Sequence, residues 1–215
     1  MHLLLCSATA FEIQPTIDFI RDNRVSGIEV LITGVGLTAA TYGLTRAVLT
    51  KRPRFILQAG LAGCIDRNLP LTKMVLVGTE TLGDLGVEES GNFRSIFDLG
   101  LQDKNTAPFV QGSLPNKPEL LQLAGLPIVE GVTVHEISTN PERINYYRDQ
   151  LGAQVESMEG AALHYVALLE QVPFLQLRCL SNFAGERDKN KWVMATAINI
   201  LNQDLQRIIL KFSKP

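Results

Sequence analysis

Cysteine is scarce in this chain, with Cys6, Cys64 and Cys179 spread over 215 residues. No two lie close together and each sits in or beside an apolar segment, which argues against a disulfide-stapled scaffold and against a Cys metal cluster. The pattern predicts buried free thiols and a cytoplasmic setting. An excess of one charge is lacking too: the formal net charge is −2, and Lys and Arg are scattered. That disfavours nucleic acid and anionic membranes as partners. Long hydrophobic runs are absent, since none approaches the roughly 20 residues of a membrane-spanning helix. The start, Met1 to Ala8, has no basic leader and its apolar run is short, so it reads as a first buried strand.

What is present is a globular composition, 46% hydrophobic and 20% charged. At this length one domain over 1–215 is expected, burying roughly 70% of the surface that the unfolded chain exposes, with no need of a metal or disulfide. Short apolar runs rich in Leu and β-branched residues predict strands at Leu3–Ala8, Ile28–Thr33, Phe55–Ala59, Met74–Thr79, Ile128–Val134 and Phe174–Ser181. Helical periods lie between several of them, as in Leu37, Ala40, Leu44, Ala47 and Val48. A closing amphipathic helix is written in Ile198, Leu201, Leu205, Ile208 and Phe212. The alternation predicts an α/β layered domain with a largely parallel sheet. Residues 83–116 are polar, Gly-rich and weakly periodic, and read as long loops with one short hairpin.

Two glycine turns come next. Gly34-Val35-Gly36-Leu37-Thr38-Ala39 follows a predicted strand, where a dinucleotide fingerprint belongs, but the next strand ends at Gly60 without the required carboxylate. A structural turn is expected there, and no NAD. Gly60-Leu61-Ala62-Gly63 is expected as a second turn after a strand. In an open parallel sheet ligands lie outside the carboxyl ends of the strands, so Glu12, Gly36, Gly60 and Asn182 are expected to face one crevice.

The most informative stretch is Val155 to Trp192. Glu159 with Met158 opens an apolar helix; the dipole would stabilise that carboxylate by roughly 0.3–1 kcal/mol, an ordinary structural role. Arg178 interrupts the apolar run from Pro173, next to Ser181 and Asn182, and a charge there needs a partner.

Taken in order, the Ser7-Ala8-Thr9-Ala10-Phe11-Glu12 start, the Gly34 and Gly60 turns, the Glu156-Ser157-Met158-Glu159 block and Arg178-x-x-Ser181-Asn182 resemble the purine nucleoside phosphorylase and nucleosidase superfamily. The resemblance implies a three-layer α/β/α sandwich with a mixed, largely parallel central sheet, assembled as a homodimer or larger homo-oligomer. It implies that Glu159 accepts from ribose hydroxyls with Met158 against the sugar, and that Asn182 faces N7 of the purine. Glu12 and Arg178 would orient an attacking water, with Glu12 as base. Gly60, Ala62, Ser181 and the aromatic wall Phe183 complete the expected substrate contacts. Base stacking is expected from the Ile137–Arg143 segment. No cofactor and no metal are implied.

The chain departs from the phosphorylases in having no arginine before Ile20 and Leu61 in place of a Gly-Ser turn, which favours water over phosphate. Asn182 in place of Asp suits a 6-oxopurine, since an amide donates to N7 and O6. With Gly185, Arg187, Asp188 and Trp192, this resembles the futalosine hydrolase branch, which releases hypoxanthine; a methylthioadenosine/S-adenosylhomocysteine nucleosidase and a purine nucleoside phosphorylase are the alternatives. Arg187 reads equally as a partner for the futalosine benzoate and as a solvated surface arginine.

Overall fold

The computed structural model describes residues 2–212; residue 1 and residues 213–215 of the expected 1–215 domain lie outside the described residues. The elements run β1 (Leu3–Ser7), α1 (Ala10–Asp22), β2 (Ile28–Ile32), α2 (Leu37–Lys51), β3 (Phe55–Cys64), β4 (Met74–Leu82), β5 (Gly86–Glu89), β6 (Asn92–Ser95), β7 (Ser113–Pro115), α3 (Pro118–Leu121), β8 (Ile128–Thr133), α4 (Pro141–Asp149), β9 (Val155–Ser157), α5 (Gly160–Leu169), β10 (Phe174–Phe183) and α6 (Met194–Phe212). All six predicted strands form. Strand β1 is buried along its whole length, as a continuous apolar run covered on both faces should be.

The sheet is mixed. Strand β1 pairs in parallel with β2 and β3, β3 with β10, β4 with β8, and β8 with β9. Antiparallel pairs join β10 to β4, β3 to β9 and β4 to β7. Because β3 pairs with both β9 and β10, the path β10–β4–β8–β9–β3 returns to β10 and closes a ring of strands. Val75, Val77, Val129, Val155 and Leu180 fill one cluster of its apolar packing. Helices α1 and α6 cover one face of the sheet through Ile13, Leu201, Leu205 and Ile208. On the other face α2 and α5 pack through Leu44, Val48, Leu163 and Val166. This is the three-layer α/β/α sandwich.

Two local expectations change. Gly60 to Gly63 is not a turn: β3 runs straight through it to Cys64, because that half of the strand finds partners in both β9 and β10. Residues 83–116 do hold the β5–β6 hairpin, and they add β7 on the edge of β4. The three cysteines are free and buried, and burial pushes the Cys6 thiol up to about 12. Among the described residues no helix is long and apolar enough to cross a membrane.

Candidate active site

A pocket of about 320 Å³ lies where β3, β9 and β10 meet the starts of α1 and α5. Glu12, Ala62, Met158, Glu159, Ser181 and Asn182 line it. Larger hollows lie elsewhere, about 420 Å³ between the β5–β6 hairpin and α4 and about 640 Å³ along β2 and α2. Their ionic groups are largely matched on the spot, Arg143 with Glu88 and Lys51 with Glu29.

Glu12 is at the third position of α1, where Thr9-x-x-Glu12 forms a capping box. Its Oε2 accepts from Thr9 N (3.2 Å), Thr9 Oγ1 (3.0 Å) and Ser7 Oγ (3.2 Å). That leaves Oε1 to accept from Leu61 N at 3.0 Å. The same residue's carbonyl accepts from Arg178 Nη1 at 3.4 Å, so the Leu61 backbone links the carboxylate to the guanidinium.

Arg178 lies inside β10, not at its end, and is 2% exposed. Its Nη2 donates to Gln58 Oε1 (2.9 Å) and Ser157 Oγ (3.3 Å). These contacts partner both terminal nitrogens of the buried cation, while its Nε has no partner among the described residues. Gly60 separates it from Glu12: a Cβ there would lie 2.6 Å from Arg178 Nη1 and 3.0 Å from Glu12 Oε1. Arg178 and Gly60 thus sit behind the pocket wall, while Glu12 reaches its surface.

Helix α5 starts one residue after Glu159, which occupies the N-cap but makes no side-chain cap hydrogen bond. Its Oε1 accepts from Gly36 N at 2.8 Å. Gly36 caps α2 at φ 91°, a conformation that favours glycine. The Gly34–Gly36 turn therefore aims the positive end of α2 at Glu159, and that is its visible role.

Asn182 follows a β-bulge in β10. Its Nδ2 donates to Phe183 O (3.1 Å) and its Oδ1 accepts from Ser181 Oγ (2.8 Å). A carbonyl only accepts, so the Phe183 contact fixes which side of the amide is NH₂, and a second N–H remains. Phe183 itself is not brought to the pocket. It joins the ring's apolar packing beneath the Arg67 guanidinium, 4.9 Å from the ring centroid, because neighbours along a strand point to opposite faces.

Of the Ile137–Arg143 segment, Ile137 alone is among the lining residues. Arg143 is drawn away by Glu88 and stacks on Phe93 at 4.1 Å. Sequence reasoning missed Glu156, Phe11, Val35 and Met194 in the lining, and did not place Trp192 there. The signal for Glu156 was a second carboxylate between Val155 and Ser157. Arg187 also lines the pocket, its guanidinium 5.6 Å over the Trp192 ring.

Behind α5 runs a buried polar chain. Glu80 Oε1 accepts from Gln176 Nε2 (2.8 Å) and Oε2 from Thr133 Oγ1 (2.9 Å). Thr133 Oγ1 in turn accepts from Ala161 N (2.7 Å), tying the first turn of α5 to β8. Burial raises the Glu80 carboxyl to about 7 and lowers His164 to about 4. Among the described residues no group of three His, Cys, Asp or Glu is placed to hold a metal ion.

A futalosine hydrolase of Thermus thermophilus is 32% identical over 192 residues, which is 88% of this chain and 84% of the relative. A 5'-methylthioadenosine/S-adenosylhomocysteine nucleosidase of Geobacillus kaustophilus is 28% identical over 170 residues, 76% of this chain and 71% of the relative. The solved structure of futalosine hydrolase from Helicobacter pylori superposes with TM-score 0.80 at 16% identity, covering 97% of each chain. Both named activities are N-glycosyl hydrolyses. The family model described as the Phosphorylase superfamily matches residues 21–214, and with a relative above 30% identity over most of the chain, the protein belongs to that superfamily.

Proposed function

We propose that the protein hydrolyses the N-glycosidic bond of futalosine, releasing hypoxanthine and dehypoxanthine futalosine on the futalosine route to menaquinone. One nucleosidase domain over 1–215 would do this in the cytoplasm, as a homodimer or larger homo-oligomer. The observation that carries the reading is the convergence of Glu12, Glu159 and Asn182 on one pocket, each held by hydrogen bonds.

Cleaving the bond develops positive charge on the sugar and negative charge on the base, so a polarising group is needed at each end. Glu159, anchored through Oε1, accepts from the ribose hydroxyls with Met158 against the sugar. Asn182 donates a hydrogen bond from its remaining N–H to the departing purine, which leaves with the electron pair of the broken C–N bond and takes its proton from solvent. Glu12 takes the proton of a water that Arg178 helps to place through the Leu61 backbone. Ser181 fixes the Asn182 amide, and Gly60 and Ala62 keep the β3 floor narrow.

Electrostatics support water as nucleophile. Glu12, Glu156 and Glu159 line the pocket against one lining cation, Arg187, among the described residues, a poor cradle for a phosphate dianion. A second reading, the methylthioadenosine/S-adenosylhomocysteine nucleosidase, is favoured by the apolar residues Phe11, Val35 and Ile137 in the lining, all of them exposed, and by relatives of that name.

The test is incubation with futalosine, inosine and methylthioadenosine, with and without phosphate, and chromatography of the released base. Hypoxanthine from futalosine independent of phosphate is the expected result. Adenine from methylthioadenosine supports the second reading, and a sugar 1-phosphate formed only with phosphate supports a phosphorylase.

A further inference from the structure

We infer that Thr133 is a positioning residue of the reaction: its hydroxyl, aimed by Glu80, caps helix α5 in place of Glu159 and so leaves the Glu159 carboxylate free for the sugar. The inference rests on the ribose-binding role given to Glu159 above and adds to it the contacts that hold that residue.

A helix start leaves four backbone N–H groups without partners from a preceding turn. In α5 these belong to Gly160, Ala161, Ala162 and Leu163. The last two turn back to the Glu159 carbonyl, at 3.1 and 3.4 Å. Gly160 N and Ala161 N remain, and an N-cap side chain ordinarily serves a donor of this kind. Glu159 holds the N-cap position and serves neither. Its Oε1 reaches out of the helix to Gly36 N at 2.8 Å, and its side chain lines the pocket.

Two strand hydroxyls replace it. Thr133 at the end of β8 pairs in parallel with Ser157 at the end of β9, so side by side they meet the start of α5. Ser157 Oγ accepts from Gly160 N at 3.2 Å, and Thr133 Oγ1 from Ala161 N at 2.7 Å. All four donors are then satisfied, none of them by the Glu159 carboxylate.

Of the two, Thr133 acts through the helix alone. Ser157 also takes Arg178 Nη2 and lines the pocket, so a change there disturbs two contacts at once. Thr133 is 1% exposed and is not among the lining residues. A backbone N–H only donates, so the Thr133 hydroxyl accepts from Ala161 and turns its proton to Glu80 Oε2 at 2.9 Å. Gln176 Nε2 fixes the other Glu80 oxygen at 2.8 Å. Two glycines make room for that carboxyl: a Cβ on Gly160 would overlap Glu80 Oε1, and one on Gly131 would stand 2.7 Å from it. Valine would fill the place of Thr133 with no buried carboxyl behind it, and burying such groups costs free energy. The arrangement is sited at the one turn that carries Glu159.

The experiment is a double-mutant cycle on turnover, at a temperature where circular dichroism shows every variant folded. The substrate is futalosine, or methylthioadenosine where wild type cleaves that instead. Thr133→Val keeps the shape without the hydroxyl and should lower kcat about 10- to 100-fold, the range expected for a reacting group misplaced by up to about 1 Å. Thr133→Ser restores the hydroxyl and should stay within about threefold of wild type. In a Glu159→Ala background the loss from Thr133→Val should shrink to below about threefold, because the group it positions is gone. A purely structural role lowers Tm but keeps the loss in kcat of folded Thr133→Val below about tenfold, and that overturns the inference. A loss of about threefold or more in the Glu159→Ala background places the effect elsewhere and overturns it too. So does a loss in Thr133→Ser as large as in Thr133→Val, which would assign the effect to the methyl group. Should Thr133→Val not fold, Thr133→Cys beside Thr133→Ser replaces it, since a thiol is a weak acceptor; equal turnover by these two overturns the inference. Near-normal turnover by Glu159→Ala, or no turnover of either nucleoside by wild type, overturns the reading of Glu159 itself. Lost turnover in Glu159→Ala with unchanged turnover in Thr133→Val removes this inference alone.

Discussion

Adding one methyl group at Gly60 tests whether Glu12 and Arg178 act together. The new Cβ would stand 2.6 Å from Arg178 Nη1 and 3.0 Å from Glu12 Oε1, and neither group can withdraw freely. The guanidinium is tied to Gln58 and Ser157, and the carboxylate to Ser7, Thr9 and the Leu61 amide. Overpacking of this kind costs about 1–3 kcal/mol, which for a chain of this length lowers Tm by about 2–12 °C. A displacement near 1 Å at a water-positioning pair reduces turnover by about 10²-fold. The assay is hypoxanthine release from futalosine by Gly60→Ala at 25 °C, where the variant is still folded, beside thermal unfolding followed by circular dichroism. Turnover within about threefold of wild type, with the 1–3 kcal/mol penalty present, would show that the chemistry does not pass through this pair.

Glu159→Ala should lose about 10²- to 10⁴-fold in hydrolysis, the value of two charge-assisted hydrogen bonds to ribose, while the fold persists because the structural loss is the one hydrogen bond from Gly36 N, about 1–3 kcal/mol; near-normal turnover contradicts its role. Asn182→Asp sets an oxygen against the Phe183 carbonyl and should move base preference toward 6-aminopurines, checked by competing substrates; an unchanged ratio removes the amide argument. Burial raises Glu80 to about 7, so its folded form holds the proton more tightly and stability falls as pH rises from the ordinary carboxyl value to about 7. His164, lowered to about 4, gives the opposite slope between about 4 and its ordinary value, so Glu80→Gln should leave a stability that climbs with pH through that window. Denaturant unfolding at several pH values checks it, and identical slopes in variant and wild type refute the assignment.

The layers and the six main strands were legible because apolar runs alternating with helical periods leave few arrangements. Glu159 and Asn182 were legible as a motif, since short blocks in a fixed order survive without any knowledge of packing. Strand β9 was not, because Val155–Ser157 is too short to show a period. The continuation of β3 through Gly60 and Gly63 was hidden for a related reason: glycine signals a turn locally, and only the closed ring gives that half-strand partners on both sides. Phe183 was misplaced by adjacency, as sequence proximity to Asn182 says nothing about which face of β10 it takes. Glu12 carried its own mundane explanation, the Thr9-x-x-Glu12 capping box. The structure shows that one oxygen serves the cap and the other the Leu61 amide at the pocket.

Four carboxylates in and behind this site differ in what holds them, and the difference divides their work. Glu12 and Glu159 each accept from a backbone N–H of another element, Leu61 and Gly36, donors that stabilise charge and fix direction without a counter-ion that would block the pocket. Glu80 is sealed among Gln176, Thr133 and the start of α5, where its position is structural and its protonation is felt as stability. Glu156 stands between: buried like Glu80, yet lining the pocket like Glu159, with one oxygen used and one not. A desolvated carboxylate held by Ser138 is costly to keep, so its charge should weigh on the stability of the protein. Glu156→Leu, which removes the desolvated charge, should therefore raise Tm in thermal unfolding. A variant with a lower Tm would mean that the Ser138 contact outweighs the cost of burying the charge.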